Sequence, residues 1–329
     1  MLDVSSFPAY IRSLNITEPV TTKPKPVISG PPTSLVDLVL WLGLGPWIFD
    51  TPKNRALVAS MGLDETTLPI VTRRLRNRSQ WFNVWESLAR DKVEEAERCA
   101  ARDEREAARA AIRSALLMLS IGMSGDGLYF YSTMETRETT YALRRRLHAL
   151  DCRLSEAHTE RMYLRSKQGH TWGVLHFPPH HEPGAEKVPA LVCLHPLASD
   201  KETFDYALRH YREAGYATLC VDLPAHGELQ HGPRLRADSE WVGLLALEAL
   251  ADHADIDVDR IGVLGGSLGA FYALRVAALS PLPKACLAFA APFDLGALGP
   301  AMVPGIIHNF STLTGAETAQ DLERLGLDF

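Results

Sequence analysis

One short stretch carries residue types at a spacing that can do covalent chemistry: Arg260-Ile-Gly-Val-Leu-Gly-Gly-Ser-Leu-Gly-Ala270. Gly265, Ser267 and Gly269 form a G-x-S-x-G pattern between the strand-type residues Ile261 to Leu264 and a helical run, Ala270 to Leu279. A serine on a sharp strand-to-helix turn holds its hydroxyl above the strand ends, where it can attack a carbonyl carbon. The neighbouring glycines are needed because side chains at 265 and 269 would meet adjacent backbone. The first amide of the following helix, that of Leu268, has no carbonyl one turn back and is free to stabilise a developing oxyanion.

A second donor has to come from another strand end. The loop Leu194-His-Pro-Leu-Ala-Ser-Asp-Lys-Glu202 follows an apolar strand-like run. Pro196 has no N–H, so the donor expected there is Leu197. His195 sits where that strand ends and is expected to be packed and hydrogen-bonded, not to act as the base.

These groups need a scaffold, and the composition describes one. The chain has 329 residues, 46% hydrophobic and 22% charged, which is ordinary for a globular protein with a sizeable core. A net charge of -6 disfavours nucleic acid or an anionic membrane as partner. Five cysteines without CxxC spacing give neither a disulfide framework nor a metal site, and a reducing cytoplasm is the expected compartment. Cys193, Cys220 and Cys286 lie in apolar strand-like runs and are expected to be buried. Met1 to Ser13 lacks the pattern of a signal peptide, and Leu35 to Phe49 is interrupted by Asp37, Gly43, Gly45 and Pro46, too short to span a bilayer. No cofactor or metal is expected.

Three regions are expected: an irregular, proline-rich segment 1–33, a helical domain 34–156, and an alternating strand–helix domain 157–329. In the first domain Ser34 is a plausible N-cap and Thr51-Pro52 starts a helix. From Ser79, Trp85, Leu88, Ala89, Val93, Ala96 and Ala100 recur at spacings of three and four. Glu94 and Arg98 pair on the opposite face, and the charge run Arg98 to Arg109 is a solvated face. A helix Ala110 to Met123, ended by Ser124-Gly-Asp-Gly127, and another from Arg137 to Leu154 follow.

In the second domain a hairpin (Glu160–Arg165 and Thr171–Phe177) precedes strands at Ala190–His195, Ala217–Asp222, Ile261–Leu264 and Lys284–Ala290. Helices are expected at Lys201–Glu213, Asp238–His253 (capped by Asp238) and Leu268–Leu279. That alternation predicts a doubly wound, mostly parallel sheet with ligands at the carboxyl ends of its strands.

The segment from about Arg161 to Pro292 resembles the α/β-hydrolases. Leu197-Ala-Ser-Asp-Lys-Glu202 is similar to the L-D-S-x-K-E loop of the FrsA-like hydrolases, a group that includes 2,6-dihydropseudooxynicotine hydrolases and fungal polyketide-shortening hydrolases. Asp222-Leu-Pro-Ala-His-Gly-Glu228 resembles their D-x-P-G-x-G-E turn, and the approach from Asp257 to Ser267 their elbow. Two departures stand out: His195-Pro196 replaces Gly-Gly, and Ala225 replaces Gly. The resemblance implies an α/β-hydrolase domain preceded by an all-helical cap. It also implies a serine mechanism on an ester or a β-diketone-like carbon–carbon bond in a small aromatic or polyketide molecule.

In that fold the triad runs Ser, acid, His along the chain. After Ser267 the sequence holds one histidine, His308, in a helix-like or lid-like context, and Asp294 follows the next strand, where it is either the acid or a helix cap. Two more strand–helix units, each on the order of 30 residues, do not fit after Pro292. The domain therefore reads as C-terminally incomplete, and little turnover is expected. The alternatives are a non-catalytic binding or scaffold protein of the same fold, and an acyltransferase. A small-molecule substrate and a possible homodimer are the expected partners.

Overall fold

In a computed structural model, residues 39–292 and 313–315 are described, apart from 41, 45, 47–49, 61, 78–79, 130–133, 156 and 198, with side-chain gaps at 57 and around 124–136. The chain divides into two compact units between Ser155 and Glu156.

The first unit is helical: α1 (Pro52–Ser60), α2 (Thr67–Arg74), α3 (Trp81–Ala101), α4 (Arg105–Tyr129) and α5 (Met134–Ser155). Pro52 is the first residue of α1, and the Thr51 hydroxyl accepts the Asn54 amide at 3.2 Å, a cap of the expected kind. The predicted stripe of α3 is buried, from Trp85 through Ala100, against Ala108, Ile112 and Leu119 of α4. A turn with Asp103 at φ 57 reverses the chain between these helices, and the Trp81 indole donates to the Ile121 carbonyl at 3.2 Å. Arg98 meets Glu94 at 3.8 Å on the solvated side, and residues 101–107 are exposed. The expected stop at 124–127 is corrected, since α4 continues to Tyr129. Each glycine costs a helix only about 1 kcal/mol relative to alanine, and no proline intervenes. Ser34 lies outside the described residues.

The second unit is a six-stranded sheet in the order β1-β2-β4-β3-β5-β6. Its strands are β1 (Thr159–Arg165), β2 (His170–His176), β3 (Val188–Leu194), β4 (Ala217–Val221), β5 (Ile256–Gly266) and β6 (Ala285–Phe289). The β1–β2 hairpin pairs antiparallel with β4, while β4, β3, β5 and β6 run parallel. Between the strands lie α6 (Lys201–Ala207), α7 (Arg209–Glu213), α8 (Trp241–Ala251) and α9 (Leu268–Leu279). The apolar core joins Val192, Leu194, Leu219, Val221 and Val263 of the sheet to Leu247 and Leu250 of α8 and Tyr272 and Val276 of α9. Burial on both sides is what near-continuous apolar parallel strands require.

Four local expectations are corrected. The helix expected from Lys201 to Glu213 breaks at Leu208 into α6 and α7. Asp238 does not cap α8, because its carboxylate is held by Arg236 at 2.9 Å. β5 is longer than expected and begins at Ile256. β6 is the outermost strand, with Cys286 exposed and Leu287 and Phe289 about half exposed, where an interior strand's composition suggested burial. Among the described residues no helix is long and apolar enough to cross a membrane.

Candidate active site

β5 delivers Gly265 beside Leu194 of β3 and Gly266 beside Phe289 of β6, and the chain then turns at Ser267 into α9. Ser267 has φ 50 and ψ -117, a backbone conformation that L-residues rarely adopt. The glycines make this turn possible. A Cβ on Gly265 would overlap the Gly269 carbonyl, and one on Gly269 would overlap the carbonyl of Leu194. The first turn of α9 therefore lies directly on the end of β3.

The Ser267 amide donates to the Phe289 carbonyl at 3.0 Å, and its carbonyl accepts the amides of Ala270 and Phe271. The serine's own N–H is thus occupied, and the next amide, that of Leu268, heads the helix. Among the described residues no backbone carbonyl accepts from Leu268 or from Leu197. Leu197 lies in the turn after β3, and its side chain packs against the same apolar cluster that contains Leu268. The structure thus places the three predicted residues, Ser267, Leu268 and Leu197, at the carboxyl ends of the adjacent strands β5 and β3.

His195 is fully buried at the end of β3. Its Nε2 accepts the Leu223 amide at 3.0 Å, which fixes the proton on Nδ1, and Nδ1–H donates to the Pro196 carbonyl at 2.8 Å. Both ring nitrogens are engaged in joining two loops. The His226 ring packs edge-on against it at 4.9 Å, and its Nδ1–H donates to Pro224. The positions singled out for a base or an acid, His308 and Asp294, lie outside the described residues.

Beneath these loops is a charged cluster whose contacts the sequence does not reveal. Lys201 Nζ, fully buried, bonds Asp222 at 2.7 Å, Glu228 at 2.8 Å and Glu202 at 2.9 Å. Arg161 covers the other oxygen of Glu228 and stacks on Trp172. Burial alone would push the Lys201 pKa down, but the three carboxylates outweigh it and hold the ammonium protonated well above the ordinary lysine range. Burial pushes the Asp222 carboxyl up, with Lys201 opposing. The available signal is the pair of strings Asp200-Lys-Glu202 and Asp222 to Glu228, charges that follow apolar strands, the first after a short loop and the second at once. Ala225 is left-handed, φ 61, at the position where the resembling hydrolases carry glycine.

Residues 191–327 match the pattern of the alpha/beta hydrolase family. Over 226 residues the chain is 29% identical to 2,6-dihydropseudooxynicotine hydrolase of Paenarthrobacter nicotinovorans, covering 65% of this chain and 56% of that one. It is 36% identical over 145 residues to the hydrolase pyiE of Pyricularia grisea (40% and 30% of the two chains). With 20-hydroxy-prefusarin hydrolase of Gibberella moniliformis the figures are 33% over 146 residues (42% and 34%). The chain thus spans about half the length of the bacterial relative and about a third of the fungal ones. Among solved structures it superposes on the crystal structure of 2,6-dihydroxy-pseudo-oxynicotine hydrolase with TM-score 0.70 and 26% identity, covering 82% of this chain and 73% of that one. With sheet order, elbow turn and relatives in agreement, the second unit has the α/β-hydrolase fold, and residues 191–327 are similar to that family.

Proposed function

We propose that the chain is a serine hydrolase acting on a small molecule, with Ser267 as nucleophile and the Leu268 and Leu197 amides as oxyanion donors. The observation that carries this reading is the positive φ of Ser267 at the β5–α9 turn, a strained conformation for which the surrounding packing of Gly265 and Gly269 is the support. The Ser267 oxygen adds to a carbonyl carbon, and charge collects on the carbonyl oxygen between the two amides. Collapse expels the leaving group, an alcohol from an ester or a stabilised enolate from a β-diketone, which takes up the proton removed from the serine. Water then hydrolyses the acyl-enzyme. The relatives' names point to small-molecule hydrolysis, which supports that substrate class. All five cysteines are free thiols, which supports a reducing cytoplasm as the compartment.

The test is covalent. A fluorophosphonate should label the wild-type chain at Ser267, located by peptide mass spectrometry, and leave Ser267→Ala unlabelled. Label at another serine, or none, would refute the assignment. Steady-state hydrolysis of p-nitrophenyl acetate should depend on the same serine, with Ser267→Ala costing on the order of 10⁴ to 10⁶ in rate. Turnover abolished by both Ser267→Ala and His308→Ala would assign the base to His308.

A further inference from the structure

The carboxylate of Asp222 closes three bonds that the proposed chemistry does not use. Its Oδ1 accepts the backbone amide of Lys201 at 3.0 Å. Its Oδ2 accepts both Lys201 Nζ at 2.7 Å and the Glu228 amide at 3.0 Å. Gly227 lies against this carboxylate, so closely that a Cβ there would overlap it.

Lys201 is where the loop after β3 enters α6, with Asp200 capping the helix through the Thr203 amide at 2.9 Å. At the loop's other end, His195 is bonded to the Leu223 amide. The segment carrying Leu197 is therefore pinned at both ends to consecutive residues, Asp222 and Leu223, at the tip of β4. Between those pins no backbone carbonyl among the described residues takes the Leu197 amide.

We infer that Asp222 and Lys201 are a positioning pair, which sets the Leu197 amide for the oxyanion and so controls the reactivity of Ser267. The inference rests on the nucleophile reading above. A purely structural ion pair is the competing account. Against it, wholly buried ion pairs are weak sources of stability, because desolvation consumes much of their attraction. Here both a backbone amide and a side-chain ammonium of the same loop residue converge on one carboxylate, which fixes direction as well as distance.

The test uses Asp222→Asn in the full chain. Lys201 keeps Glu202 and Glu228 as counter-ions, so no ammonium is left unpaired. One oxygen, however, becomes an NH₂ facing donors, and the loop's pin has to shift. Two readouts are taken with ¹⁵N-leucine protein: the rate of fluorophosphonate labelling at Ser267, and the amide signals of Leu197 and Leu268. Asp255→Asn is the control, a buried carboxylate at the start of β5 that accepts the Gly184 amide.

Asp222→Asn should slow labelling by about tenfold or more, short of the roughly 10²-fold or greater cost of losing a donor outright. It should move the Leu197 signal and leave Leu268 in place, while Asp255→Asn changes neither readout. An unchanged labelling rate overturns the inference, and so does a slower rate with Leu197 unmoved, which is what a merely structural pair would give. Wild-type chain that takes no label at Ser267 removes the nucleophile reading and the catalytic sense of the pair with it. The Leu197 signal then still decides whether Asp222 holds the loop. If Asp222→Asn does not fold, Asp222→Ser, which admits water in place of the carboxylate, gives the same readouts.

Discussion

The Ser267 amide donates to the carbonyl of Phe289 at 3.0 Å, so the nucleophile candidate is tied to the end of β6 by its own backbone. That bond holds the strained φ of the elbow and removes the serine's N–H from the oxyanion site. The next amide along, that of Leu268, is the one proposed above as the donor.

The elbow also depends on what is missing at 269. Gly269→Ala puts a methyl into the Leu194 carbonyl, a backbone group that cannot rotate away. Overpacking of this kind costs typically 1–3 kcal/mol, about the scale expected here. Urea unfolding of the second unit should show that loss, and fluorophosphonate labelling of Ser267 should disappear. Labelling at the wild-type rate would mean that α9 need not lie against β3.

Ala225 makes the opposite prediction. It stands at φ 61 in the turn after β4, and a left-handed alanine costs about 1–2 kcal/mol. Glycine removes that strain but gives back part of the gain in unfolded-chain entropy. Ala225→Gly should therefore stabilise the unit by about 0.5–1 kcal/mol and raise its Tm by a few degrees. A lower Tm would show that the Ala225 methyl, which is buried, contributes more packing than its backbone costs.

β6 carries the prediction about association. Among the described residues no strand pairs with its outer side, and Leu287 and Phe289 are about half exposed. Lys284 precedes the strand, but Ala285–Phe289 itself has neither charge nor proline, the usual devices against edge pairing. Two copies can add strands antiparallel about a two-fold axis. Light scattering should find a dimer of the 36.3 kDa chain at micromolar concentration, returned to monomer by Leu287→Lys. Exposed Cys286 offers a second check through cross-linking. A wild-type monomer would show the edge to be protected.

The elbow is legible in the amino-acid sequence because it is local. Strand type, glycine and helix type are written consecutively, so Ser267 and Leu268 follow from sequence order alone. Helix α3 is equally readable, because one face carries the whole core contact. The clamp around Asp222 is not. Lys201 opens the helix after β3 and Asp222 follows β4, and only the parallel pairing of β3 with β4 brings them together. The helix break at Leu208 and the length of α4 escape a local reading for a related reason, since tertiary packing outweighs propensities of about 1 kcal/mol. β6 misleads because its composition suits burial, whereas exposure depends on neighbours that a local pattern does not name.

The last prediction concerns alkaline stability. Burial pushes the Tyr272 phenol above its ordinary value of 10.0, and its hydroxyl donates to the Arg236 carbonyl at 2.6 Å. Lys201 is also held above its ordinary 10.5 by Asp222, Glu202 and Glu228, which outweigh the opposing effect of burial. Both groups keep their protons in the folded chain at a pH where the unfolded chain releases them. The folded state then binds more protons, so stability falls as pH rises. The contribution of each is complete below about pH 10 and is lost above it, at about 1.4 kcal/mol per pH unit. Groups that titrate alike in both states drop out of this slope. Tyr272→Phe isolates one of the two. At pH 8 it should be less stable than wild type by about 1 kcal/mol, the usual worth of one hydrogen bond. Between about pH 10 and 11.5 that deficit should close and reverse, because the variant has no phenol to ionise. Urea unfolding at half-unit pH steps reads this directly, and parallel curves for the two proteins across that range would show that the phenol is not held neutral by the fold.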